Sequence, residues 1–211
     1  TIDFDDVTHK GITNISTDDV AVAQELGYVI KLVGDVREVE SGISAEVSPT
    51  FLPKNHPLAS VNDVMNAVFV ESIGIGESMY YGPGAGQKPT ATSVLADIIR
   101  IARRLSDGNV GKPFNEFRRD LPLANTADVK SNYYFALDTP DEKGKILHLS
   151  EIFNSEDISF EQVLQQKANG TTARIVVITH AMSKTQLKAV TEKLEAAEDF
   201  TVVNTLKVLS N

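Results

Sequence analysis

The chain has 211 residues, 42% of them hydrophobic, no cysteine and a formal net charge of −9. That is enough apolar material for one large or two small domains, it excludes disulfides and thiolate metal sites, and it disfavours nucleic acid or an anionic membrane as a partner. No apolar run approaches the roughly 20 residues a membrane helix needs, and no charged–apolar–small leader is seen, so a cytoplasmic protein is expected.

Ser16, Thr17, Asp18 and Asp19 offer an N-cap and an acidic first turn, and DDVAVAQELG is predicted as a short helix stopped by Gly27. YVIKLVGDVREV (28–39) and GISAEVSPTFL (42–52) are predicted strands around a turn at Glu40, Ser41 and Gly42. In the second, Ile43, Ala45 and Val47 alternate with polar residues, as on a sheet with one wet face. PKNHPLAS is a loop, and NAVFVESIG and GESMYY are two further strands. They lead into YYGPGAGQKPTA, where Gly82, Pro83, Gly84 and Gly86 precede a helix. Pro89 suits its first turn, Val94, Ile98, Ile101 and Leu105 line one face, and Arg100, Arg103 and Arg104 crowd its C-terminal end. SDGNVGKPF breaks that helix, and residues 111–130 read as a linker.

Beyond it YYFALDT (133–139) is a strand, DEKG a turn, KILHLSEIFNS a helix, ISFEQVLQQ and ARIVVITH strands, SKTQLKAVTEKLEAAE a helix and FTVVNTLKVL a strand. The order β-α-β-β-α-β over 131–211 is the split-βαβ, ferredoxin-like arrangement. ARIVVITH and the sheet edge form an expected pairing surface. The fold class is α+β: a mixed sheet with helices on one face over residues 1–110, the linker, then the βαββαβ unit over 131–211.

The glycine loop reads G-x-G-A-G, with Pro89 where a Rossmann turn wants its third glycine, so it is not that fingerprint. It is either a tight strand-to-helix turn needing positive φ or a bare backbone lying against an anion or cofactor edge. Thr90 and Thr92 are expected as cap or packing residues. Lys31, mid-strand, is read as facing solvent along its stem rather than as a desolvated proton carrier. His9, His56, His148 and His180 show no metal-ligand spacing, His56 being a loop hydrogen-bonder, and no nucleophile elbow is present. The turn through Asp141, Glu142, Lys143 and Gly144 opens a helix whose N-terminus suits an amino-acid carboxylate, with acidic neighbours for the amine. An ordinary glycine turn is the other reading.

The D-x-x-G turn (Asp141 to Gly144), the "DIS" opening of the second strand and the "VVITH" strand ending at His180 make the second half resemble an ACT domain, a small-molecule sensing module. KGITNISTDDVAVAQELGYVIKLVG, VSPTFLPKNHPLASVNDVMNAVFV and YYGPGAGQKPTATSVLADII resemble the C-terminal part of the homoserine dehydrogenase catalytic region. The resemblance covers about residues 8–211. It implies an NAD(P)-dependent oxidoreductase interconverting L-homoserine and L-aspartate 4-semialdehyde, with NADP or NAD held mostly by an N-terminal domain absent from this chain. It places Gly86, and more weakly Gly84 and Ala85, at the cofactor, and Asp141, Gly144 and Lys145 at an amino-acid effector, threonine first. It implies a homodimer or higher homo-oligomer, and puts no catalytic residue and no metal site in this chain. The fragment alone is therefore expected to be inactive. A non-enzymatic ACT-type sensor is the alternative, and a structural dimerisation unit a blander one.

Overall fold

The structure, a computed structural model, describes residues 2–109, 120–169 and 171–209. It falls into two compact units: residues 1–54 with 121–211, and residues 55–120.

The first unit starts with β1 (Thr8–His9) and α1 (Thr17–Glu25), continues through β2 (Tyr28–Val39) and β3 (Gly42–Pro53), and resumes with β6 (Lys130–Pro140). Then come α3 (Lys145–Asn154), β7 (Phe160–Asn169), β8 (Thr172–Thr179), β9 (Met182–Ser183), α4 (Lys184–Ala196) and β10 (Thr201–Val208). Among the described residues these eight strands share one sheet. β2 pairs antiparallel along β3, whose other edge takes β1 in parallel at Glu46 and Val47 and then β10 in parallel at Thr50 and Phe51. From β10 the order runs β10-β6-β8-β7, all antiparallel. The C-terminal strands thus stand in the order 4-1-3-2 of a split βαβ unit. Its outer strand β10 is built into the sheet of the N-terminal residues.

The central strands β6 and β8 are buried on both faces, which is why NYYFALD and RIVVIT read as nearly continuous apolar runs. On one face Tyr133, Phe135, Leu137, Ile175 and Val177 pack against Leu149 and Phe153 of α3 and Val190 and Leu194 of α4. On the other, Phe51, Tyr134, Ala136, Val176, Ile178 and Leu206 pack against Val22 and Ala23 of α1. The Phe51 and Tyr134 rings stack with centroids 4.4 Å apart. Two expectations change here. β3 lacks a continuous wet face, because Ser48–Leu52 are all buried where β10 closes its second edge. The strand ARIVVITH is no edge: β8 is flanked by β6 and β7.

Polar ties fix the N-terminal residues to this sheet. Ser16 caps α1 in a reciprocal capping box with Asp19. The Asp19 carboxylate, 1% exposed, also accepts from Tyr134 Oη at 2.9 Å and from Asn204 Nδ2 at 3.0 Å. Burial alone would raise its pKa, but the hydrogen bonds from Ser16, Asn204 and Tyr134 outweigh that and hold it below the usual carboxylate range. Asp35 pairs with Arg37 and with the buried Lys207. Glu46 pairs with Lys184 at 2.9 Å. Of the expected linker, residues 111–119 lie outside the described residues, while Pro122 and Ala124 bracket Ile43 through two 2.9 Å backbone hydrogen bonds. Gly42 permits that approach: at φ 145° a Cβ would lie 2.1 Å from the Pro122 carbonyl oxygen.

The second unit is a hairpin, β4 (Met65–Ser72) and β5 (Gly76–Pro83), followed by α2 (Gln87–Ser106). The hairpin is in register from Met65↔Pro83 to Ser72↔Gly76. No residue of α2 is buried.

Candidate functional site

The glycine segment is shorter than its sequence suggests. Gly82 and Pro83 belong to β5, opposite Asn66 and Met65, which leaves Gly84, Ala85 and Gly86 as the turn. The Gly84 N–H donates to the Val64 carbonyl at 3.2 Å, and a Cβ there would come within 2.0 Å of Asn66 Nδ2. Asn66 is exposed and its side chain can swing aside, so this approach alone does not require a glycine. Only Gly86 of the three has positive φ, at 123°, and a Cβ on it would sit 3.4 Å from Pro89 Cδ. Gly86 is the N-cap of α2 without a side-chain cap, so the first N–H groups of the helix have no intrahelical acceptor. Thr90 and Thr92 do not cap or pack: both are exposed on the first turns. Gly84, Ala85, Gly86, Gln87 and Lys88 are exposed too, so the turn offers bare backbone to whatever approaches it. Those are residues an anionic cofactor edge fits.

The face expected from Val94, Ile98, Ile101 and Leu105 exists, but it is uncovered. These four are 55, 57, 58 and 57% exposed. On the hairpin Val68 and Tyr80 are exposed as well.

The second region lies at the C-terminal end of β6. Gly144, at φ 92°, is the N-cap of α3, and the Asp141 N–H donates to the Thr171 carbonyl at 3.0 Å. Asp138, Thr139, Asp141, Glu142, Thr172 and Asp199 are among the residues lining a cleft of about 620 Å³ here. The expected Asp141 and the turn are at this cleft, and Lys145 reaches it by pairing with Asp199 at 2.7 Å and Glu142 at 3.3 Å. The Asp199 carboxylate also binds His148 Nδ1 at 2.8 Å. Its pKa is held down first by the Lys145 hydrogen bond and then by that of His148. Thr139 Oγ1 is buried without a hydrogen-bond partner. A strongly acidic wall with one cation at the helix start suits an amine better than a bare anion.

The other candidates are local. His56 Nδ1 accepts from the Leu58 N–H at 3.2 Å, the loop role expected of it. His9 lies 3.3 Å from the Val7 carbonyl. Lys31 is half-buried, on the same alternating side of β2 as Asp35 and Arg37, so the strand turns Leu32 and Val36 to solvent instead. Among the described residues no three His, Cys, Asp or Glu are arranged to hold a metal ion, and no helix is long and apolar enough to cross a membrane.

A homoserine dehydrogenase family model matches residues 1–99. The homoserine dehydrogenase of Lactococcus lactis is 57% identical over all of this chain and 49% of its own length. That of Bacillus subtilis is 34% identical over 93% of this chain and 46% of its own. The crystal structure of a homoserine dehydrogenase from Thiobacillus denitrificans superposes with a TM-score of 0.89 at 30% identity, over 99% of this chain and 48% of that one. Over essentially its whole length this chain is similar to homoserine dehydrogenases. It spans about half the length of the relatives it matches. The likeness to the homoserine dehydrogenases extends past the family model to the C-terminal βαββαβ unit, since the 57% identity runs the full 211 residues.

Sequence reasoning missed Asp138 and Asp199 of the cleft wall, and Arg174 that pairs with Asp138. No local pattern marks them. Asp138 and Arg174 meet only through the antiparallel pairing of β6 with β8, which sets them opposite each other, and Asp199 comes in from the residues just before β10.

Proposed function

We propose that this chain is part of an NAD(P)-dependent homoserine dehydrogenase that interconverts L-homoserine and L-aspartate 4-semialdehyde. The carrying observation is the exposed Gly84–Gly86 turn at the head of a helix with no buried residue. Relatives twice this length have a further half to lay against such a surface. In this reading the cofactor, NADP or NAD, supplies the hydride chemistry. Gly86 lets backbone approach the cofactor closely, and the apolar face of α2 seats the rest of the enzyme. The tail is an ACT-type regulatory module. Its effector is an amino acid, threonine first, taken at the cleft beside Asp141, Gly144 and Lys145. A second copy of the chain adds to the open edge of β7 to make a homodimer or larger oligomer, in the cytoplasm.

The test is steady-state kinetics on the complete enzyme. Gly86→Val is expected to lower kcat/KM for the nicotinamide cofactor about tenfold or more, because a branched side chain intrudes on a position set by closeness. Wild-type kinetics from that variant would remove the turn from the cofactor site. The 211-residue chain alone is expected to give no homoserine-dependent NAD(P)H formation, since its described residues hold no acid–base pair at the turn. Measurable turnover by it would overturn the reading. A sensor without enzymatic activity has the cleft in its favour, and calorimetric titration of the chain with threonine, methionine and NADPH separates the two.

A further inference from the structure

Among the carboxylates of the β6 cleft, Asp138 differs in where its partner leads. Asp199 is held by Lys145 and His148, both on α3, beside the cleft. Asp138 is held by its cross-strand neighbour on β8, Arg174, on the α1 side of the sheet. Arg174 Nε donates to its Oδ1 at 2.8 Å and Nη2 to its Oδ2 at 3.2 Å, a two-point fork. The remaining nitrogen, Nη1, reaches Asp18 Oδ2 at 3.4 Å. Asp18 belongs to the first turn of α1, next to the Asp19 that anchors this helix to Tyr134 and Asn204. One guanidinium therefore joins a carboxylate of the cleft wall to the helix covering that face.

We propose that Arg174 couples the cleft to α1: an ammonium group bound in the cleft takes a share of the Asp138 carboxylate, and the guanidinium shifts its weight toward Asp18. The inference rests on the reading of the cleft as an amino-acid site. Arg174 acts as a positioning residue, touching neither ligand nor reactants. Competition gives the coupling its sign. The arginine and the ligand amine seek the same oxygens, so each weakens the other's hold, and linkage makes the effect reciprocal. Asp138 is one-third exposed and Arg174 about one-fifth, so the contest takes place in a partly desolvated spot where charges interact more strongly than in bulk water.

The experiment uses the complete enzyme, with threonine as the probe, measuring its binding by calorimetry and its inhibition of homoserine-dependent NAD(P)H formation. Arg174→Gln is expected to bind threonine several-fold more tightly, because Asp138 is freed, while inhibition at saturating threonine falls at least about fivefold. Asp18→Asn, on a side chain 70% exposed, keeps the fold whatever Arg174→Gln does. It is expected to leave binding within about twofold and to reduce inhibition alone. A role confined to holding structure would not move binding and response in opposite directions. If wild type binds and responds to threonine and both variants do the same, the coupling is wrong and the effector site stands. If Arg174→Gln binds threonine more weakly, the arginine is a ligand residue and the coupling is again wrong. If the wild type binds neither threonine nor any other amino acid, the effector reading falls and the coupling with it.

Discussion

Asp19 is a carboxylate that the sequence presents as a helix-start acid and the fold uses as a buried hub. It takes hydrogen bonds from the Ser16 backbone and hydroxyl, Tyr134 and Asn204. Asp19→Ala strands four donors in a spot closed to water and is expected to cost about 2–4 kcal/mol of stability, read by urea denaturation. A loss below a few tenths would show that α1 is anchored by its apolar face alone. The pH dependence follows from the direction of the shift. The folded carboxyl titrates below its unfolded value, so its contribution is complete above an unfolded pKa of about 3.9 and disappears as pH falls through the lower folded value. Between about pH 4 and 2 the wild type is expected to lose more stability than Asp19→Asn. Parallel acid profiles for the two would count against the hub. Gly42→Ala combines a φ of 145° with an overlap on the Pro122 carbonyl, and is expected to destabilise by about 2–4 kcal/mol.

α2 carries the sharpest contrast between a pattern and its surroundings. Its apolar stripe was legible from spacing alone, as were β2, β3 and the capped α1, because helix and strand periodicity are local properties. What could not be read locally was the partner of each face. The stripe of α2 implied burial, yet Ile98 is 57% exposed. The polar alternation of β3 implied a wet face, yet β10, some 150 residues on in sequence, closes over Ser48–Leu52. The glycine turn was legible as a turn, but that Gly82 and Pro83 belong to the strand before it depends on a hairpin register no motif announces. Ile98→Asp tests the contrast. In the 211-residue chain it is expected to change stability by less than about 0.5 kcal/mol, as on any exposed face. In the complete enzyme it is expected to cost about 2–4 kcal/mol, because a charge would enter an apolar contact. Equal, small effects in both settings would show that nothing covers α2.

At the scale of the whole molecule, the βαββαβ unit of residues 130–208 is not arranged as a bead on a string. One face of its sheet is closed by its own helices α3 and α4, and the other by α1, with Phe51 of β3 stacked on Tyr134. Its outer strand β10 hydrogen-bonds β3, and Lys207 and Lys184 make ion pairs with Asp35 and Glu46 of the N-terminal strands. Cutting the unit free would bare Tyr134, Val176, Ile178 and Leu206 together and leave Lys207 without its carboxylate. Each large apolar side chain so exposed forfeits about 1.5–3 kcal/mol, and four of them together are comparable with the roughly 5–15 kcal/mol that holds an ordinary domain together. A peptide of residues 121–211 is therefore expected to lack a cooperative thermal transition and to bind a hydrophobic dye. Adding residues 1–54 in trans is expected to restore the transition and the near-ultraviolet signal of Tyr134. A sharp, dye-silent transition in the peptide alone would show that the unit closes its own core. In that case ligand binding at its cleft would have no obligatory mechanical path to α1, and the shared sheet would be a contact rather than a transmission element.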